Sequence, residues 1–211
     1  MQIAILLYEG FTALDAIGPY ESLSHIPGTS TVFVAERPGP VGNDNGHLRV
    51  RVEAALDDVP RPDVLLVPGS GRYAAQQTNP AVLDWLRSAD RTTAWTASVC
   101  TGSLILAAAG LLTGRRATTH WYGLAELGDL GALPTDARYV FDGKYVTAAG
   151  VSAGIDMGLA LSGRIAGATH AQTVQLLMQY EPRPPYAAGD PATAPAGIVA
   201  AARRTLAAVI G

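Results

Sequence analysis

Apolar residues gather in four short runs over the first hundred positions, at residues 3–8, 31–35, 64–67 and 93–99. Each run ends at glycine, proline or a polar turn, and the intervals between runs are too long for hairpins. Helical spacing fills the gaps. Asn79 followed by Pro80 and then Val82, Leu83 and Leu86 gives an N-cap, a proline in the first turn and a 3,4 apolar stripe. Strands and helices that alternate in this way predict an α/β fold, with a mostly parallel sheet covered by helices on both faces. In such a sheet the ligand sits beyond the carboxyl ends of the strands. The residues to watch are therefore Glu9-Gly10-Phe11 with Asp15 beyond, Pro68-Gly69-Ser70-Gly71, and Cys100-Thr101-Gly102.

The second half departs from this rhythm. Tyr139-Val140-Phe141 and Tyr145-Val146 flank Asp142-Gly143, a two-residue hairpin signal that predicts an antiparallel piece at the sheet edge. Helical periodicity then runs over 152–166 through Ile155, Leu159, Leu161 and Ile165, and a further helix covers 171–180. Residues 181–195, rich in Pro, Gly and Ala, read as a wrapping loop before a short helix over 196–210. No internal repeat or linker interrupts the chain, so a single domain over 1–211 is expected.

Composition supports that picture: 211 residues, 48% hydrophobic and 16% charged, suffice for a large core with strands buried on both faces. The formal net charge is −3, and Lys and Arg are scattered apart from Arg115-Arg116 and Arg203-Arg204, so nucleic acid is not expected as a partner. The longest apolar stretch, 104–112, is about half of the ~20 residues a membrane span needs. The apolar start is too short for a secretion signal and runs into Glu9-Gly10, as a buried first strand would. A single cysteine allows no intramolecular disulfide and suits a reducing compartment, so a cytoplasmic protein is expected.

That cysteine is the main chemical candidate. Ser98-Val99-Cys100-Thr101-Gly102 runs from a strand through a sharp turn into a helix ended by Gly110, a relative of the G-x-S-x-G nucleophile elbow with Ser98 in place of the first glycine. A thiol facing the N–H end of a helix is expected to have a lowered pKa; a lone cysteine is also commonly a small buried hydrophobe. The glycines of Pro68-Gly69-Ser70-Gly71 allow main-chain N–H groups to point into the cleft and, with the Thr101 N–H, to form an oxyanion-type hole; a plain turn fits the same residues. Asp15 lies among Ala13, Leu14, Ala16 and Ile17, where a carboxyl tends toward a raised pKa and can carry a proton, although a helix-capping or solvated aspartate fits the same position. Glu21, six residues on, competes for that role. Of the four histidines only His120, in Thr118-Thr119-His120-Trp121, is placed to return to the cleft, and a structural role fits it equally well. One cysteine and no paired His/Asp spacing give no support to a metal site.

Several segments together resemble the ThiJ/PfpI superfamily and, within it, the isonitrile hydratases. They are Leu14-Asp15-Ala16-Ile17-Gly18-Pro19, Val67-Pro68-Gly69, Ser98-Val99-Cys100-Thr101-Gly102-Ser103, Arg116-Ala117-Thr118-Thr119-His120-Trp121 and Ala153-Gly154-Ile155-Asp156. The tail from Pro184-Pro185-Tyr186 to Thr193-Ala194-Pro195 follows the same order, so the resemblance spans nearly the whole chain. It implies a flavodoxin-like three-layer sandwich of the class I glutamine amidotransferase-like type. It also implies Cys100 as nucleophile, Asp15 as acid/base carboxylate and Thr101 as the residue supporting both. By the same resemblance Gly69, Ser70, Gly71, His120 and Val151 border the substrate, a small isonitrile. Homodimers and catalysis without a metal or organic cofactor are implied too. Two stretches depart from the pattern, Gly69-Ser70-Gly71-Arg72 and Ala148-Ala149-Gly150 before Val151, where relatives carry more glycine. Both touch the expected cleft and bear on substrate scope. Two alternatives stand beside this reading: a glyoxalase-like enzyme acting on small α-oxoaldehydes, and a non-enzymatic thiol sensor.

Overall fold

A computed structural model describes residues 1–210. In chain order the elements are β1 (Gln2–Leu6), α1 (Ala13–Leu23), β2 (Ser30–Ala35), β3 (Gly39–Gly42), β4 (Arg49–Val52), β5 (Ala54–Ala55), β6 (Val64–Val67), α2 (Ala74–Gln77), α3 (Pro80–Asp90), β7 (Trp95–Val99) and α4 (Gly102–Ala108). They continue with β8 (Arg116–Ala117), α5 (Leu124–Asp129), β9 (Leu133–Pro134), β10 (Tyr139–Asp142), β11 (Tyr145–Ala148), α6 (Ala153–Ala166), α7 (Ala168–Leu177) and α8 (Ala196–Ile210).

Seven strands form one sheet in the order β10-β11-β7-β6-β1-β2-β5. Every pair in it is parallel except β10 with β11. From β1 the chain steps to β2 on one side, and from β6 to β7 on the other. Right-handed crossovers then place α1 and α3 on opposite faces. With both faces covered, the central strands are apolar throughout: all four residues of β6, and residues 3–6 of β1, are buried. The flavodoxin-like architecture that the resemblance implies is the one observed.

The cap at Asn79 forms as expected, its side chain accepting from the Ala81 N–H at 3.1 Å. The hairpin also forms, but it is not wholly an edge piece. Its second strand, β11, is buried at all four positions and pairs in parallel with β7, so only β10 lies at the edge. The helix expected over 171–180 is α7, which starts earlier, at Ala168, because Gly167 at φ +91° breaks the chain between α6 and α7. Asp15 lies in the first turn of α1, a helix that the apolar runs alone do not mark. That helix carries Pro19, which has no N–H to give the Asp15 carbonyl four residues back. The antiparallel β3–β4 pair and the two-residue β8–β9 pair are additions that the apolar pattern does not predict.

Candidate active site

The segments that follow β1, β6, β7 and β11 meet at one place beyond the sheet. Cys100 is the first residue after β7, with φ +58°, a left-handed conformation rare for a residue with a side chain. Its amide donates to the carbonyls of Ala148 (3.1 Å) and Ala149 (3.0 Å), while its carbonyl accepts from Thr119 Oγ1 (2.9 Å) and Ser103 Oγ (3.1 Å). Four bonds thus hold the turn in a strained geometry. Gly102 lets α4 begin against β6, since a Cβ there would run into the Val67 carbonyl.

Asp15 is fully buried. One carboxylate oxygen, Oδ2, accepts from the Gly69 N–H at 2.9 Å, whereas Oδ1 has no nitrogen or hydroxyl donor. The Cys100 thiol is its neighbour, and each group bears on the other's charge. Burial raises the Asp15 pKa to about 7, opposed by the Gly69 N–H and by the thiol. Burial also pushes the Cys100 thiol up, and the Asp15 charge adds to it, while the N–H groups of Val151 and Thr101 pull it down. The lowering expected from the helix end is therefore outweighed. Cys100 is only 6% exposed, and a second negative charge beside it is disfavoured. The two groups titrate as a pair, which loses the first of its two protons around pH 7 and keeps the second above it.

Thr101 and the loop after β6 are bound to each other. Thr101 Oγ1 donates to the Ser70 carbonyl (2.8 Å) and accepts from the Ser70 N–H (2.9 Å). Ser70 Oγ donates to the Gly10 carbonyl (2.6 Å) and accepts from the Arg72 N–H (2.8 Å). Gly69 has no room for a side chain, because a Cβ would come within 2.6 Å of Thr101 N and 2.8 Å of Asp15 Oδ2. The expected oxyanion-type hole is accordingly not built from the Gly69 and Ser70 amides: one holds Asp15 and the other Thr101. Gly71 faces Val209 of α8 instead. The N–H groups that favour negative charge on the sulfur are those of Thr101 and Val151.

Val151, at φ +23°, is strained for a β-branched residue and lines a cleft of about 540 Å³. His120, Leu14, Trp121 and Leu124 share that lining. His120 Nδ1 accepts from the Tyr122 N–H (3.3 Å), so the neutral ring carries its proton on Nε2, and burial lowers its pKa. Its ring packs on Gly150, where a Cβ would lie 2.7 Å from Cδ2. Glu21 is exposed on α1. Six residues turn the helix by about 600°, leaving it roughly 120° around from Asp15.

A family model described as the DJ-1/PfpI family matches residues 1–163. The chain belongs to the DJ-1/PfpI family. Among its curated relatives is an isonitrile hydratase of Pseudomonas putida, 40% identical over 204 residues, which is 97% of this chain and 89% of that protein. The crystal structure of a ThiJ/PfpI family protein from Pseudomonas syringae matches with a TM-score of 0.95 at 36% identity, covering 99% of this chain and 87% of that one. Drosophila melanogaster DJ-1β shares the fold, with a TM-score of 0.77 at 20% identity over 86% of this chain and 98% of its own. On this DJ-1/PfpI scaffold the sequence reading overlooked Tyr8 and Thr119. The Thr119 hydroxyl fixes the Cys100 carbonyl, and Tyr8 stands behind the thiol–carboxylate pair. Tyr8 ends an apolar run and reads as core; only its polar tip hints at more.

Proposed function

We propose that this protein is an isonitrile hydratase, with Cys100 as nucleophile and Asp15 as general acid and base. The observation that carries the reading is the buried thiol–carboxylate pair next to a cleft bordered by Val151, His120, Leu14 and Trp121, in a chain whose relatives include an enzyme of that name. The thiol sulfur bonds to the terminal carbon of R–N≡C while Asp15 delivers the pair's proton to the same carbon, giving the thioimidate R–N=CH–S. Asp15, now a carboxylate, takes a proton from water as the hydroxide adds to that carbon, and passes that proton to the nitrogen. Collapse breaks the C–S bond, releases R–NH–CHO, and returns the hydroxyl proton to the thiol–carboxylate pair. The N–H groups of Val151 and Thr101 hold the sulfur whenever it carries negative charge.

Asp15 matches the task because a group with a pKa of about 7 both gives and takes a proton at neutral pH. A thiol sensor would instead need an accessible, thiolate-rich cysteine, and Cys100 is buried with its thiol pushed up. A nucleophilic thiol must stay reduced, which fits a cytoplasmic setting.

Product analysis tests the reading. Incubation with cyclohexyl isocyanide should yield N-cyclohexylformamide, and incubation with methylglyoxal should yield no lactate. Lactate without formamide would move the assignment to α-oxoaldehyde chemistry, and neither product would remove the hydratase reading.

A further inference from the structure

Behind the reacting pair lies a phenol that the mechanism does not use. Tyr8, two residues beyond β1, is 5% exposed, and its hydroxyl donates to the Pro68 carbonyl at 2.8 Å. The Pro68 carbonyl and the Gly69 N–H are the two ends of one planar peptide group, and that N–H is the donor that holds Asp15 Oδ2 at 2.9 Å. We propose that Tyr8 is a positioning residue for the Cys100–Asp15 pair, acting through the Pro68–Gly69 peptide: its hydroxyl grips the carbonyl end while the amide end of the same peptide grips Asp15.

Two physical effects run along this chain of bonds. Anchoring the carbonyl fixes the peptide plane and so the direction of the N–H. Accepting a hydrogen bond at oxygen also polarises the peptide and makes its N–H a stronger donor. A stronger donor favours the ionised carboxylate over the carboxylic acid. Burial and the nearby charges of Asp15 and Cys100 keep the phenol protonated, so it stays a donor throughout the working range. The other charge bearing on Asp15 besides the thiol is Asp44, in the loop after β3, which accepts from Thr12 Oγ1 at 3.0 Å. Substitution at Tyr8 removes neither. A tyrosine serving only as core filler would be replaced by phenylalanine with no effect on the pair.

The inference rests on Cys100 and Asp15 being the reacting pair, so it is tested without an isonitrile. Alkylation by iodoacetamide followed from pH 5 to 10 reads the pair directly, because Cys100 is the only cysteine in the chain. In Tyr8→Phe the Asp15 proton should be held more tightly, moving the acid limb of the alkylation profile upward by roughly half a pH unit. Tyr8→Leu, which also lacks the hydroxyl, should move it the same way. In an Asp15→Asn background the same substitutions should move nothing. An unmoved limb in both variants, or an equal shift without Asp15, overturns the relay. The acid limb of kcat/KM for cyclohexyl isocyanide hydration should follow the alkylation limb. Should the alkylation limb shift in a protein that makes no formamide, the relay stands and the hydratase reading falls.

Discussion

An ionised carboxylate is costly to bury, and in the proposed role Asp15 sets the needs of a reacting residue against those of a stable fold. Its folded-state pKa of about 7 lies above the ordinary carboxylate value, so the folded chain binds this proton more tightly than the unfolded chain does. The destabilisation is absent well below pH 4, grows as pH rises from about 4 to about 7 and is constant above that. Asp15→Asn keeps an acceptor for the Gly69 N–H and carries no charge. It should therefore be more stable than wild type by roughly 1–3 kcal/mol at pH 8, with the gain fading by pH 4.5, as measured by urea denaturation at the two values. The same variant should lose about 10²–10⁴-fold in turnover. A destabilising Asp15→Asn at pH 8 would mean that the carboxylate is better solvated than its burial implies. Cys100 and Asp15 were legible from sequence because each stands out against immediate neighbours, a thiol between strand and helix and a carboxylate in an apolar run. The roles of the Gly69 and Ser70 amides were not, because an N–H finds its acceptor in tertiary structure. Here the acceptors lie 54 and 31 residues away.

At the scale of elements, the site depends on how closely α1 approaches α6, since α1 carries Asp15 and the segment leading into α6 carries Val151. Small residues line that contact. A Cβ on Gly158 would overlap Ser22 Oγ and lie 3.1 Å from Pro19 Cα, and one on Gly18 would meet Ile155 Cγ1 at 3.0 Å. Gly158→Val should push the helices apart and cost about 2–3 kcal/mol, read as a lower melting temperature, despite the general cost of glycine inside a helix. On the opposite face, Asn79→Ala removes the bond to the Ala81 N–H and should cost about 1 kcal/mol in chemical denaturation without changing turnover. That cap and the Asp142-Gly143 turn were legible because each is specified within four residues. The β3–β4 and β8–β9 pairs were not. β3, Gly39-Pro40-Val41-Gly42, carries a single large apolar residue, and β8 and β9 have two residues each, too few for any periodicity to show.

The whole molecule supplies what no element does alone, namely the convergence of four strand ends on one sulfur. Alternating strands and helices foretold the parallel sheet. They did not foretell that β11 would enter beside β7, and it is this placement that brings the Ala148 and Ala149 carbonyls to the Cys100 amide and the Val151 N–H to its sulfur. The proposed reaction makes different demands on Asp15 in its two half-reactions, as an acid toward the isonitrile carbon and then as a base toward water. The covalent species between them should therefore accumulate when the second step is slowed. Intact-protein mass spectrometry of enzyme quenched within one turnover should show a gain equal to the whole isonitrile. The gain should vanish in Cys100→Ser, which has no other thiol to carry it. Raising the pH should favour the base role, and lowering it toward 6 should lengthen the adduct's life, because a protonated Asp15 cannot deprotonate water. An active enzyme that never shows the adduct, even at pH 6, would point to direct attack of water on the isonitrile and would leave Cys100 outside the bond-forming steps.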